Sequence, residues 1–486
     1  MKYIKLQEFY TIRNEVGCSY IVCIDRLTDT KGEPFAVLPI PQFMGYIISR
    51  IGRTTYETSV AKIAAELGVS CDAVKMFVSQ LIENKEHRKF SYSDNISITL
   101  PCNLLVASEE ADNREYWEDT DFCPSNVFVR KRPSIPFSVN LMVTTRCTTD
   151  CIYCYANRGL SPQLSADEIE AIIKQAASEG VINLSLTGGD IFAFPEWRTI
   201  LKTARESGYH PFVSTKTPIG MDDIKFLKSL GYRDIQFSLD SCDPAVLREL
   251  IKVDGEYINR VSRLFQCASE MGLDILVRSV ITKKNASKDH VGSMYEFLCS
   301  FPSVKEWVMT VAFFSEYKSN HYQEYVPENN DLVEVYNFAK RSDLKFKVGL
   351  NKITKDGYKL KRCGSVEEFV CDNQICLGNT TSISILANGK CSLCEMLYDR
   401  PEYILGDTRT ESLREIWNGE KAMALYFPNQ DVCAAVQSPC GTCSVFQKCK
   451  GDFGKRVCYL DIMKTGGSFC DPDPRCPLAT ENDKIL

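Results

Sequence analysis

Three regimes of hydrophobic patterning follow one another along the chain. In the first, short apolar runs at 19–24 and 35–39 predict strands. Residues 41–52 then repeat apolar positions with a helical period, and Ser59–Leu67 continues that pattern. After a Gly68-Val69-Ser70 turn, residues 71–84 place Val74, Phe77, Val78 and Leu81 on one helical face. Alternating segments at 88–92 and 96–100 predict a hairpin. Helix, helix, turn, helix and hairpin is the order of a winged helix.

A polar interval comes next. Residues 108–121 hold seven acidic side chains against one arginine, which predicts a solvated linker over 108–136. From 137, strand-like runs (138–143, 182–187, 211–215, 234–239, 274–281 and 307–313) alternate with helical stretches (165–179, 196–207, 221–230, 256–271, 286–300 and 330–341). Ser165-Ala-Asp-Glu168 is a capping box opening the first of those helices. Six strand–helix units predict an α/β architecture: a partial, open-sided (β/α)6 barrel with its chemistry on the loops that follow the strands.

Composition narrows the function classes. Hydrophobic residues make up 44% and charged residues 25%, which excludes global disorder. No apolar run approaches the ~18 residues of a membrane span, and residues 1–17 lack the apolar core of an export signal, so a cytoplasmic protein without membrane contact is expected. The net charge of −6 disfavours a role in coating nucleic acid. Residues 71–84 offer Lys75 as their one basic side chain, too little for reading a DNA major groove. A winged helix of that charge suits a peptide captured as an added strand.

Cysteine changes the picture most. The chain has 23 Cys and 4 His. In a reducing compartment, many thiols with few imidazoles point to all-thiolate sites of zinc or iron–sulfur type. Cys18, Cys23, Cys71, Cys102, Cys123, Cys242, Cys267 and Cys299 stand apart and are expected as buried small residues. Cys147, Cys151 and Cys154 crowd the loop after the first barrel strand. There, three thiolates can hold three irons of a [4Fe–4S] cube and leave the fourth iron open to a ligand. Twelve more cysteines lie between 363 and 476.

Cys147-x3-Cys151-x2-Cys154, with Tyr153 before the third cysteine, resembles the signature of the radical S-adenosylmethionine superfamily, and the likeness continues over about 137–315. Thr187-Gly188-Gly189-Asp190 resembles the family's turn that holds the methionine amino group, with Asp in place of Glu. Ser214-Thr215-Lys216 stands where the family often has a turn near the ribose. Ser238-Leu239-Asp240 matches its Ser-Leu-Asp, and Arg278 lies where a partner for a carboxylate is useful. By that resemblance the three cysteines are the catalytic iron ligands. Tyr153 and the residues just named then surround S-adenosyl-L-methionine.

The C-terminal series resembles the SPASM extension of peptide-modifying radical enzymes, which binds two auxiliary [4Fe–4S] clusters. It runs Cys376, twelve residues, Gly389, four residues, Cys394; then Cys440-x2-Cys443-x5-Cys449, with Cys458 after eight more residues and Cys476 beyond. The resemblance implies one cluster on Cys376, Cys394 and Cys458, completed by Cys363, Cys371, Cys391 or an open position. It implies another on Cys440, Cys443, Cys449 and Cys476, with Cys470 competing for the last place. Three clusters are expected in all, one catalytic and two auxiliary.

Four segments follow: 1–107, resembling a RiPP recognition element that binds a precursor's leader; the linker 108–136; the barrel 137–345; and a SPASM domain 346–486. The whole resembles maturases of ribosomally synthesised peptides, of the sactipeptide and ranthipeptide thioether type. Residues 187–195 are close to a segment of the subtilosin-type enzymes. The implied reaction is an oxidative sulfur-to-carbon crosslink. An electron from flavodoxin or ferredoxin cleaves S-adenosylmethionine, a 5′-deoxyadenosyl radical removes hydrogen from Cα or Cβ of the precursor peptide, and a substrate Cys thiolate closes the thioether, the surplus electron leaving through an auxiliary cluster. C–C crosslinking, epimerisation and decarboxylation by the same machinery stay open, as does, farther off, an iron–sulfur winged-helix transcription sensor.

Overall fold

The computed structural model describes residues 2–24, 37–82, 84–93, 96–315, 318, 322–358, 362–372, 376–397, 400–451 and 456–480. The start of the strand expected at 35–39 lies outside them. Two compact units emerge: 1–138 with 179–183, and 139–178 with 184–486.

The first unit opens with β1 (Tyr3–Leu6), β2 (Tyr10–Glu15), β3 (Cys18–Cys23) and β4 (Val37–Ile40). Then come α1 (Gln42–Arg50), α2 (Tyr56–Leu67), α3 (Cys71–Ser79), the hairpin β5 (Arg88–Ser93) and β6 (Ile96–Leu100), β7 (Leu105–Ser108) and β8 (Trp117–Glu118). One sheet runs β4-β3-β2-β8, while β1 pairs with β7. The three helices and the hairpin stand in the order the pattern predicts. Ser70 caps α3 by accepting the Ala73 N–H at 3.2 Å. The stripe Val74, Phe77, Val78 and Leu81 is buried in one core with Ile47 and Ile48 of α1 and Val60 and Ile63 of α2.

The acidic segment is not the solvated linker its composition suggests. Trp117 and Glu118 pair with β2, and Asp112 and Tyr116 are buried. Asp112 accepts bonds from Arg114 at 2.8 Å and from the Tyr116 hydroxyl at 2.7 Å. Arg114 also reaches the carbonyls of Gln7 and Tyr10. Burial works to raise the Asp112 pKa, but these bonds outweigh it and hold the carboxyl below its usual range. Of the isolated cysteines, Cys18 and Cys23 are buried as expected, whereas Cys71, at the start of α3, and Cys123 are exposed.

The second unit is built on β9 (Ser138–Thr144), β10 (Asn183–Gly188), β11 (Ser214–Thr215), β12 (Asp234–Ser238), β13 (Asp274–Ile281), β14 (Val304–Val311) and β15 (Lys347–Asn351). Its helices are α4 (Ala166–Ser178), α5 (Trp197–Glu206), α6 (Met221–Ser229), α7 (Pro244–Ile251), α8 (Tyr257–Met271), α9 (Lys288–Cys299), α10 (Tyr322–Tyr325) and α11 (Asn329–Ala339). The capping box forms: Glu168 accepts the Ser165 N–H at 2.7 Å, and Ser165 Oγ accepts the Glu168 N–H at 3.3 Å. Along β13, Ile275, Val277, Ser279 and Ile281 are buried and alternate with less buried residues, so one face packs under helices. Phe237 of β12 meets Phe265 of α8 edge-on at 5.4 Å on that packed side.

The barrel differs from the expected six-strand wall in two ways. First, it is two sheets. β11 to β15 form a parallel run, while β10 and β9 continue into β16 (Ser382–Ile385), β17 (Lys390–Ser392) and β18 (Ile404–Asp407). Second, β15 extends the parallel run beyond 345. The division expected at 345/346 therefore falls inside a shared scaffold. Among the described residues no helix is long and apolar enough to cross a membrane.

Candidate active site

A cavity of about 550 Å³ opens at the C-terminal ends of the barrel strands, a size suited to a small-molecule ligand. Cys147, Cys151, Cys154, Tyr153, Gly188, Gly189, Asp190, Ser214, Thr215, Lys216 and Ser238 all line it. The cysteine loop is fixed from both sides. On the inside, Thr149 Oγ1 lies 3.4 Å from the Cys147 sulfur and 3.5 Å from the Cys151 sulfur. On the outside, the Asp150 and Ile152 N–H groups donate to the Ile251 and Leu250 carbonyls at the end of α7, at 3.0 and 2.9 Å. Burial pushes the Cys151 thiol up to about 11, so a bound cation is needed to hold it as thiolate.

The glycine pair serves the loop's backbone. A Cβ on Gly188 would collide with the Thr144 carbonyl oxygen, and one on Gly189 with that of Arg146; Gly188 also sits at φ 142°. The Gly189 N–H donates to Thr144 O at 2.7 Å and the Asp190 N–H to Arg146 O at 2.9 Å. The turns after β9 and β10 are thereby clamped together.

Asp190 departs from its expected part. Its carboxylate already accepts the Phe192, Lys216 and Thr217 N–H groups and the Thr215 and Thr217 hydroxyls, at 2.7–3.2 Å. With its lone pairs so committed, it fastens the β10 turn to the β11 turn and has little capacity left for an ammonium group. Lys216 points the other way, to Asp240 Oδ2 at 2.8 Å. Burial works to lower the Lys216 pKa, but Asp240 and the Cys151 sulfur outweigh it and keep the amine charged. Asp240 lies behind the cavity wall, bonded also to the Tyr153 hydroxyl and the Val280 N–H. Arg278 is absent from the lining; its guanidinium pairs with Glu306 of β14 at 2.7 Å.

Sequence reasoning missed Glu395. It lines the cavity from the turn after β17 and accepts bonds from Asn140 and Thr187 at 2.9 Å and from the Tyr155 hydroxyl at 3.1 Å. Burial, with Glu395 adding to it, drives the Tyr155 pKa well up, so the phenol remains a donor. Asn140, Thr187 and Gln236 were visible as polar residues at alternate positions of otherwise apolar strands. Glu395 had no signal beyond following Cys394.

The remaining cysteines fall into groups. Cys440, Cys443, Cys449 and Cys476 line one small cavity. Cys470 instead hydrogen-bonds Cys433. Burial pushes the thiols of Cys449 and Cys394 to about 12 and that of Cys476 to about 11. Cys376 lies close enough to Cys394 and Cys458 to raise both thiols further. Cys363 packs with Cys394 against one core, Cys391 is buried in β17 towards Asp407, and Cys371 is exposed. Among the described residues no three His, Cys, Asp or Glu side chains converge on a single ion. A four-iron cube places each thiolate on a different iron, so thiols ringing a cavity fit a cube better than one ion.

A profile of the radical SAM superfamily matches residues 141–298, and one of the SPASM iron–sulfur cluster-binding domain matches 376–444. The chain carries a radical SAM domain and a SPASM domain. The radical SAM domain contains the cysteine loop, the glycine clamp and the Lys216–Asp240 pair; the SPASM domain contributes Glu395. Curated relatives act on different substrates. Over 289 residues the chain is 25% identical to a probable GTP 3′,8-cyclase of Methanothermobacter thermautotrophicus, covering 57% of this chain and 88% of that one. Over 363 residues it is 20% identical to a PqqA peptide cyclase of Gluconobacter oxydans, covering 73% and 94%. The fold is like that of Streptococcus suis SuiB bound to the precursor peptide SuiA, with TM-score 0.61 and 15% identity over 98% of this chain and all of that one.

Proposed function

We propose that this radical SAM enzyme modifies a ribosomally synthesised precursor peptide, closing thioether bonds between substrate Cys sulfur and an acceptor carbon. The observation that carries the reading is the single cavity that joins three thiols of the β9 loop to one carboxylate of the SPASM domain. Its support from relatives is the peptide substrate named for the PqqA cyclase and the precursor peptide held by SuiB.

Cys147, Cys151 and Cys154 would hold the catalytic [4Fe–4S] cluster, Cys376, Cys394, Cys458 and Cys363 one auxiliary cluster, and Cys440, Cys443, Cys449 and Cys476 the other. When bound, the catalytic cluster and S-adenosylmethionine supply a 5′-deoxyadenosyl radical on receipt of one electron from a flavodoxin- or ferredoxin-type donor. The glycine clamp keeps the cysteine loop in place, and the polar wall of Ser214, Gln236 and Ser238 orients the nucleoside by hydrogen bonds. Lys216 stays cationic beside Cys151 and offsets the negative charge of the thiolates. Glu395 Oε1, which accepts one bond, takes the proton of the substrate thiol. The first unit binds the leader, which raises the local concentration of the core peptide at the barrel.

The test is anaerobic reaction of the reconstituted enzyme with a short Cys-containing peptide encoded beside it, followed by tandem mass spectrometry. Each crosslink removes two hydrogens, and a Cys→Ala peptide keeps them. Loss of two hydrogens from the Cys→Ala peptide would move the assignment to C–C crosslinking.

A further inference from the structure

The outer side of the cysteine loop carries a second cavity, of about 470 Å³. Asp150 and Ile152 of the loop form part of it, with Lys252, Lys283, Lys284 and Lys318 and the carboxylates Glu249 and Glu324 around them. Here the loop is one residue thick. Cys151 between Asp150 and Ile152 lines the inner cavity, while its two neighbours line the outer one. Their N–H bonds to the end of α7 hold the thin wall in place.

With four lysines against three carboxylates, the face is net positive on an acidic chain. Lys284 pairs with Glu249 at 2.9 Å and Lys318 with Asp150 at 3.1 Å. Lys252 and Lys283 are exposed and make no ion pair among the described residues. The chain as a whole carries −6. A cation at the end of a helix is a common device for stabilising that helix. It covers Lys252, which ends α7, but not Lys283 and Lys284, which follow β13 on a different element.

We propose that this face docks an acidic one-electron carrier protein, which delivers its electron across the Asp150–Ile152 wall. The proposal rests on the reading of Cys147, Cys151 and Cys154 as ligands of the catalytic cluster. The carrier is oxidised by one electron and the cluster reduced by one, with no bond made and no proton moved. Electron-transfer encounters use small interfaces and depend on charge complementarity for their on-rate, which suits a patch of four lysines. Asp150, Glu249 and Glu324 keep the surface from being uniformly positive and give the docked partner a register.

The experiment uses the full-length, iron-loaded protein, a reduced acidic flavodoxin as the carrier and dithionite as a small reductant. Release of 5′-deoxyadenosine, bleaching of the cluster's visible absorbance and flavodoxin affinity by calorimetry are measured for the wild type and for Lys252→Glu/Lys283→Glu. The double variant is expected to weaken flavodoxin binding and flavodoxin-driven bleaching about tenfold or more, and to flatten their dependence on salt. Its dithionite-driven rate and iron content stay at wild-type values, and Lys252→Arg/Lys283→Arg keeps flavodoxin-driven activity. Unchanged flavodoxin binding in the double Glu variant overturns the docking site. So does a wild type that uses dithionite but not flavodoxin. An iron-loaded wild type that releases no deoxyadenosine with dithionite overturns the reading of the thiols, and the docking site with it.

Discussion

The first unit and the cysteine-rich stretch that closes the second are held together by different means. The first unit buries one continuous apolar core drawn from β1, β2, α1, α2, α3 and β6, rich in Ile, Leu and Val. Among the described residues, the stretch from 363 to 480 includes two small cores with thiols inside them: Cys476 in one, with Cys394 and Cys449 packed against it, and Cys433, Cys440 and Cys470 in the other. Apolar side chains stabilise on burial by themselves. A buried thiol pushed up to about 12, as at Cys449, contributes most when a cation displaces its proton. The first unit is stabilised by apolar burial, whereas the thiol-bearing cores of the closing stretch are expected to depend on bound metal.

That contrast can be broken by removing iron. Chelation, or Cys440→Ala with Cys449→Ala, is expected to lower amide protection across 430–476 by about a thousandfold or more. Protection across α1–α3 stays as it was; hydrogen exchange with mass spectrometry reads both regions at once, and an equal loss in both would end the distinction. Cys151→Ala separates chemistry from folding. Deoxyadenosine release falls by roughly three orders of magnitude or more, while exchange in both regions is unchanged, because the barrel is packed by residues such as Phe237 and Phe265 and not by its thiols.

Smaller effects sharpen the other side of the comparison. Leu81→Ala empties a fully buried position of the first unit and costs about 2–5 kcal/mol in denaturant melts, with iron content unchanged. Asp112→Asn removes a buried, charge-assisted hydrogen-bond network at a cost of about 1–3 kcal/mol. The pH dependence has a definite sign. The folded carboxyl titrates below its usual value, so its stabilisation is complete above about pH 4 and is lost as pH falls through the folded value. Melts at pH 7 and pH 3 read that loss, and Asp112→Asn abolishes Asp112's share of it.

The barrel was legible because its strands are apolar runs, α8 stops at Gly272 and α4 opens on the Ser165–Glu168 cap. The three thiols and the Gly188-Gly189 turn were legible because their chemistry depends on spacing within one loop. What escaped depends on partners far away in sequence. The acids of 108–121 read as solvated charge because Arg114's carbonyl partners, Gln7 and Tyr10, lie about a hundred residues earlier. Asp190 read as a ligand-holding residue because its donors sit on the next strand's turn. Short strands such as β16 and β17 were lost because three or four residues carry no period, and the pairing of β16 with β9 is set by tertiary structure.

One peptide bond joins Cys394 to Glu395, and both residues lie beyond position 345, where the chain could be cut into modules. A fragment ending at 345 would forfeit the strand that edges β9 and strand Asn140, Thr187 and Tyr155 without their shared acceptor. The barrel is thus not an excisable catalyst with an ornament behind it. Its inner wall is finished by Glu395, and a growing chain has no complete pocket until that residue has been made.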